Sequence, residues 1–232
     1  FLKMIYNPFI KESVAKEWIN SLLDRDELGT STHREFIEIL ENINEDFNER
    51  SVIDIGCGNG FFSTFDVIKR FKKYTGIDPS ETLILNAKEN YSMDKVEFFT
   101  SSVYDLPFED ESFDFMTSIN VWFYLENILL AAKECSRILK KGSNFVIMTI
   151  DPEQQKDWFL YHGESIRFNK NSVYGKWKIK TLGHHPVDLG YHYFPIWTLE
   201  EIIKSFDKSN LKIKEINKCS NKRISILGEK IG

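Results

Sequence analysis

The chain has 232 residues, 42% of them hydrophobic, and a formal net charge of −5. With 19 phenylalanines it holds enough apolar material for the core of one domain of ordinary size. Its apolar runs are broken by charge within about ten residues, where a bilayer needs about twenty, so no spanning segment is predicted.

The charge is uneven. Residues 1–50 carry 6 basic and 11 acidic side chains, whereas residues 151–232 carry 14 and 10. The basic excess includes Lys176, Lys178 and Lys180, which alternate as one face of a strand would; a nucleic-acid track needs a broader basic surface. The three cysteines, Cys57, Cys135 and Cys219, have no metal or redox spacing, and so sparse a set suits a reducing cytoplasm. A cytoplasmic location is therefore expected, although a chain beginning at Phe1 gives little information about a leader.

Two helices are predicted first. One lies near residues 10–23, with Ile10, Val14, Trp18 and Leu22 on one stripe. The other is announced by "TSTHREF", in which Thr32 and Glu35 fit a capping box and Phe36, Ile37, Leu40 and Ile43 form the apolar face. From residue 51 the chain alternates. Strands are predicted at 51–55, 73–77, 95–100, 113–119 and 143–150. Helices are predicted at 61–70, 80–91 and 125–139, the last ending at "KKG" with Gly142 as its stop. Residues 101–112 read as a loop. This alternation implies a doubly wound α/β fold, a parallel sheet with helices on both faces. Near the end, Thr198 opens a helix over 198–209, and "LKIKEI" and "RISIL" flank "NKCSNK" as an antiparallel hairpin. The aromatic-rich stretch 152–197 interrupts the pattern and reads as a cap over the strand ends. The organisation expected is thus an N-terminal helical cap (1–49), a core (50–151), an inserted lid (152–197), and a final helix and hairpin (198–232).

The stretch "SVIDIGCGNGFFS" carries the first functional signal. A β-branched apolar run breaks into Gly56, Gly58 and Gly60, a turn whose backbone can approach another molecule closely. Strand, glycine turn and helix form a nucleotide-type crevice. Asp54 lies inside the strand, a position that dinucleotide binders usually keep apolar, and a carboxylate there favours a cationic ligand. The spacing also lacks the later glycine of G-x-G-x-x-G, because position 61 is Phe. The next strand, "YTGID", ends at Asp78, 20 residues beyond Gly58. An acid there can accept hydrogen bonds from both ribose hydroxyls of a nucleoside, or it can cap the next helix.

"VIDIGCGNG", "GIDPSETLILNAK", "DLPFEDESFDFMTSIN" and "ECSRILKKGSNFVI", in this order, resemble the successive motifs of class I S-adenosylmethionine-dependent methyltransferases. The resemblance is to the small-molecule branch around the type 11 methyltransferase domain, and it covers about residues 50–150. It implies a Rossmann-like fold with S-adenosyl-L-methionine as cofactor. Asp54, Gly56, Cys57, Gly58 and Gly60 would surround the methionine part. Asp78 would hold the ribose, flanked by Ile77 and Pro79, with Ser80 closing beside the adenine. Ser102 stands where the family often has an acid reading the adenine amino group, and Val103 would add a backbone N–H and an apolar contact. Asn120 would contact the cofactor or the reacting group, and Phe123 and Tyr124 would face the acceptor.

"SINVWFY" lacks the proline-rich N/D-P-P-Y/F turn of enzymes that methylate nucleobase amines or glutamine amides, which argues against nucleic acid as the acceptor. Four of the five histidines, His162, His184, His185 and His192, fall in the insertion without an established zinc spacing, so no metal is predicted. Tyr124, His184 and His185 are the candidate bases, needed only if the acceptor arrives protonated. The expected activity is methyl transfer to O or N of a small-molecule acceptor, by a monomer or homodimer with no membrane contact. The alternatives are an RNA methyltransferase, a non-catalytic cofactor-binding partner subunit, and a nicotinamide-dependent oxidoreductase. Residues 1–35 and 152–197 are expected to wall the acceptor site together.

Overall fold

The computed structural model describes residues 10–22, 31–154, 165–169, 172–180, 188–195, 197–220 and 222–232. Two helices, α1 (Glu12–Leu22) and α2 (Ser31–Glu41), precede an alternating core. The core runs β1 (Ser51–Ile55), a 3-10 turn (Phe61–Thr64), α3 (Asp66–Lys69), β2 (Lys73–Asp78), α4 (Glu81–Tyr91), β3 (Val96–Thr100), β4 (Phe113–Ile119), a second 3-10 turn (Trp122–Tyr124), α5 (Ile128–Ile138) and β5 (Leu139–Ile150). Three antiparallel strands follow, β6 (Ser165–Asn169), β7 (Ser172–Lys180) and β8 (Asp188–Pro195), then α6 (Leu199–Asp207), β9 (Leu211–Cys219) and β10 (Arg223–Lys230).

The main sheet has seven strands in the order β3-β2-β1-β4-β5-β10-β9. The first five are parallel; β10 joins β5, and β9 joins β10, in antiparallel fashion. This is the Rossmann-like doubly wound sheet with an antiparallel C-terminal hairpin that the alternation predicts. Strand order reverses between β1 and β4, and ligands of open α/β sheets bind at the carboxyl ends beside such a reversal.

Period-two alternation divides the apolar residues between two faces. One face sets Ile53, Ile55, Ile77, Met116 and Ile147 against Ile128, Ala131 and Cys135 of α5 and Phe206 of α6. The other sets Val52, Tyr74, Phe115, Val146 and Met148 against Phe36 and Leu40 of α2 and Ile84 and Ala87 of α4. Each large side chain removed from water in this way contributes roughly 1.5–3 kcal/mol. Val14 and Ala15 bury the inner face of α1, which packs beside α4, while Ile10 precedes that helix and is exposed.

Four local expectations are corrected. The segment 61–70 is not one helix: Phe65 is extended (φ −74°, ψ 144°) and separates a 3-10 turn from the four-residue α3. Gly142 does not stop α5, which ends at Ile138; it sits at φ +80° inside β5, where the register with β4 jumps from Phe113↔Leu139 to Phe115↔Asn144. The sequence "KKG" is thus a strand irregularity that only a left-handed residue accommodates. Thr32 is buried within α2 and does not cap it, and Glu35 reaches outward: its carboxylate accepts from Ser220 N–H (2.8 Å) and Ser220 Oγ–H (2.8 Å). Thr198 does open a helix, as predicted, and forms a full capping box with Glu201, but the helix ends at Asp207 rather than at residue 209. Among the described residues no helix is long and apolar enough to cross a membrane.

Candidate active site

The glycine turn is built as its spacing requires. Gly56, Gly58 and Gly60 all have positive φ, +74°, +59° and +80°. Gly56 N–H and Cys57 N–H both donate to Ile77 O, at 2.8 and 2.9 Å, which locks the turn onto the end of β2. The three glycines have different neighbours. A Cβ on Gly60 would come within 2.7 Å of the Phe98 ring and 2.9 Å of Ala87, and one on Gly56 would collide with Val121. A Cβ on Gly58 would meet nothing within 4 Å. Gly56 and Gly60 are therefore fixed by packing, whereas Gly58 borders an open cradle.

Asp78 closes the other side of that cradle. Its Oδ2 accepts from Gly58 N–H (3.1 Å) and its Oδ1 from Ser80 N–H (2.9 Å). A carboxylate has about four acceptor positions, so each oxygen retains capacity for a further donor. Burial pushes the Asp78 carboxyl up to about 6, opposed by the two backbone donors. Ser80 is spent on the fold: its hydroxyl caps α4 by accepting from Leu83 N–H, and it is buried. Pro79 is half-buried beside it. Ser101 N–H donates to Asp78 O at 3.1 Å, which brings the loop after β3 to the same edge. There Val103 is buried and Ser102 is exposed, its Oγ accepting from Tyr104 N–H.

Asp54 faces inward. Its Oδ2 accepts from the Tyr74 hydroxyl (2.7 Å) and its Oδ1 from Thr117 Oγ (3.0 Å), one partner on each flanking strand. Burial raises this carboxyl to about 6 as well, with both bonds acting the other way. Cys57 is likewise a core residue: its Sγ lies over Gly76, and burial pushes the thiol well above its ordinary pKa. The sequence reading missed Tyr74 and Thr117. Thr117 is the direct register partner of Asp54, a relation that exists only once the strands are ordered.

The far half of the crevice is formed by the ends of β4, β5 and β10. Asn120 ends β4 at φ +60°; its N–H donates to Met148 O (2.8 Å) and its Oδ1 accepts from Arg223 Nε (2.8 Å). A left-handed Asn is uncommon and marks a constrained turn. Phe123 is buried and Tyr124 half-buried, with ring centroids 3.9 Å apart. Burial holds the Tyr124 phenol well above its ordinary pKa, and the Arg223 charge opposes that. Trp122 is buried against Phe206.

Two elements rim this edge. On α2, His33 stacks on Phe62 and Phe65 after the glycine turn, while Glu35 reaches Ser220 beyond β9. Strand β8 lies beside the Trp122–Tyr124 turn, and Trp197 Nε1–H donates to Leu125 O at 2.8 Å. Tyr6, Tyr161, His162, His184 and His185 lie outside the described residues; His192, Tyr191 and Tyr193 fall in β8, of which the backbone is described.

Comparison with known proteins follows this geometry. A family described as "Methyltransferase domain" matches residues 53–147. A demethylmenaquinone methyltransferase of Staphylococcus aureus (strain MRSA252) is 35% identical over 102 residues, 41% of this chain and 41% of that protein. The chain thus aligns with about two fifths of the length of the curated relatives it matches. A structure titled as a putative S-adenosylmethionine-dependent methyltransferase from Listeria monocytogenes superposes with TM-score 0.65 at 19% identity, covering 84% of this chain and 97% of that one. An S-adenosylmethionine-dependent methyltransferase structure from Clostridium acetobutylicum gives 0.67 at 18% identity, covering 95% and 97%. Residues 53–147 thus match a methyltransferase domain, and the seven-stranded sheet has the fold of S-adenosylmethionine-dependent methyltransferase structures.

Proposed function

We propose that this chain transfers a methyl group from S-adenosylmethionine to an oxygen or nitrogen of a small-molecule acceptor. The observation that carries the reading is the cradle between Gly58 and Asp78: open space where a side chain would stand, faced by a buried carboxylate with acceptor capacity left. The residues fit the cofactor. Asp78 is the residue to hold the ribose hydroxyls, and the Gly56–Gly60 backbone is the surface for the methionine part, with the Val103 side for the adenine. Asp54, behind the turn, contributes fixed negative charge that favours a cationic ligand.

When bound, the cofactor supplies a methyl group on a positively charged sulfur, open to in-line displacement. The chain's own task is positioning and water exclusion, for which alignment alone can lower a barrier by several kcal/mol. Phe123, Tyr124 and the α2 rim supply aromatic surface suited to a cationic methyl and to a dry crevice. Tyr124 is the described residue nearest the role of a base, and its raised phenol is protonated at neutral pH. It would therefore orient an acceptor as a donor rather than take its proton.

A small acceptor is supported by the name of the Staphylococcus relative, whose acceptor is a small molecule, and by the missing proline turn in "SINVWFY". The insertion 152–197, with β8 beside the Trp122–Tyr124 turn, is the proposed lid. The test is formation of S-adenosylhomocysteine when the protein and cofactor are mixed with a metabolite fraction below ~1 kDa or with total RNA. Turnover with the metabolite fraction supports the reading. Turnover with RNA alone would transfer it to the RNA alternative.

A further inference from the structure

A cavity of about 540 Å³ opens at the amino ends of β2 and β3, the opposite end of the sheet from the crevice. Ser63, Ile68, Phe71 and Tyr74 line it and are each 2% exposed or less, so they form a floor shielded from water. Val96, the first residue of β3, adds an apolar wall, and Met93, 55% exposed, stands at the rim. The volume falls in the range of sites for small molecules.

The lining argues for an uncharged occupant. Among the described residues three charged side chains border the cavity, and their charges cancel: Lys69 is paired with Asp66 at 2.9 Å, and Asp94 and Lys95 are adjacent residues of opposite sign. The two hydroxyl protons of the floor are already given away, that of Tyr74 to Asp54 Oδ2 at 2.7 Å and that of Ser63 to Gly60 O at 2.7 Å. What is left is apolar surface, which takes up small apolar molecules and penalises ions. Met93 is an adaptable side chain at the entrance.

Those two hydroxyl bonds also join the cavity to the glycine turn. Asp54 lies directly behind the turn, and Gly60 is its last glycine, so Tyr74 and Ser63 each have one side on the cavity and the other on the cofactor cradle. An occupant packed on both side chains holds the back of the turn in place. Order supplied there need not be supplied again when the cofactor binds, and the two ligands then favour each other.

We infer that this cavity is a binding site for a compact, uncharged, largely apolar molecule, and that its occupancy tightens the hold on the cofactor through Tyr74 and Ser63. The coupling rests on the methyltransferase reading; the binding site does not. A dent left by imperfect packing would take up no ligand, and a site unconnected to the turn would leave cofactor affinity unchanged.

The experiment is calorimetric titration of the full chain at pH 7.5 with indole, and with indole-3-acetate and tryptamine as its anionic and cationic counterparts, with and without S-adenosylhomocysteine. Indole is expected to bind at one site and at least fivefold more tightly than either ion. Saturating indole should tighten S-adenosylhomocysteine by about threefold or more, and S-adenosylhomocysteine should tighten indole by the same factor. Val96→Phe fills the cavity and should abolish indole binding. Should that variant fail to fold, Met93→Glu at the exposed rim carries the test, with indole affinity at least fivefold below wild type. Tyr74→Phe keeps the ring but not the bond to Asp54, so it should still bind indole while the coupling falls. Absence of indole binding, indole binding unchanged in the Val96 and Met93 variants, tighter binding of either ion, or S-adenosylhomocysteine affinity unchanged or weakened by indole overturns the inference. A folded wild type that binds indole but not S-adenosylhomocysteine leaves the binding site standing and overturns the methyltransferase reading, and the coupling with it.

Discussion

Tyr74 donates its phenolic proton to Asp54 Oδ2 at 2.7 Å, inside the sheet and directly behind the glycine turn. With Thr117 on the other oxygen, the carboxylate has both oxygens engaged, yet burial still raises it from 3.8 to about 6. Holding that charge at neutral pH costs ~2–3 kcal/mol. The unfolded chain titrates lower than the folded one. Between about pH 4 and 6 the folded state therefore binds more protons, and this group's contribution to stability falls as pH rises through that window. Asp54→Asn removes the cost. Relative to wild type the variant should gain about 1–3 kcal/mol at pH 7.5 and much less at pH 4.5, read from urea unfolding at both values. Taking the difference isolates Asp54 from carboxylates such as Asp114 and Glu134, which are shifted the opposite way. A variant that loses stability more at pH 7.5 than at 4.5 would contradict this account of Asp54.

Asp78 lies across the turn and is also raised to about 6. A cation bound nearby favours the ionised form, so cofactor binding should release protons at pH 5–6 and none above about pH 7.5. Calorimetry in buffers of differing ionisation enthalpy measures this directly. Asp78→Asn keeps an acceptor for only one of the Gly58 and Ser80 N–H groups, which bond to different oxygens, and loses charge-assisted bonds worth ~1.5–3 kcal/mol each before compensation by water. Cofactor affinity should drop at least tenfold while the domain remains folded. Unchanged affinity would leave Asp78 with only its backbone bonds.

Gly60 and Gly58 of the glycine turn separate packing from binding. Gly60→Ala places a methyl group within 2.7 Å of the Phe98 ring, so it should destabilise the fold by ~1–3 kcal/mol through overpacking. Gly58→Ala meets open space at φ +59° and should cost only about 1–2 kcal/mol of backbone strain, yet its methyl enters the cradle and should weaken cofactor binding severely. Thermal melts alongside a cofactor titration check both. Gly58→Ala binding like wild type would place the ligand elsewhere.

The parts of the fold legible in sequence were those decided locally. β1 and β4 fall where their apolar runs end in turn residues, and the helix start at Thr198 needs only the residues beside it. The misread parts needed a third dimension. "KKG" after an amphipathic helix has the signature of a helix stop, but Gly142 serves the register shift between β4 and β5. Phe61, Phe62, Phe65 and Ile68 are spaced as one helix, and 3-10 and α turns share that spacing until the extended Phe65 divides them. Glu35 matched a capping box, yet its partner Ser220 is 185 residues away. In the site, the glycines and Asp78 were readable because one turn and one strand end position them. Tyr74, Thr117 and Arg223 were not, since each reaches its partner across a strand order that sequence alone does not specify.

The central claim is that the crevice at the ends of β1 and β2 binds S-adenosylmethionine. Isothermal titration of the folded chain with S-adenosylhomocysteine tests it most directly, with NAD as the competing nucleotide. The account predicts one site per chain for S-adenosylhomocysteine, lost in Gly58→Ala and weakened in Asp78→Asn, and no heat with NAD. Heat with NAD, or silence with S-adenosylhomocysteine from a protein shown to be folded, would contradict it.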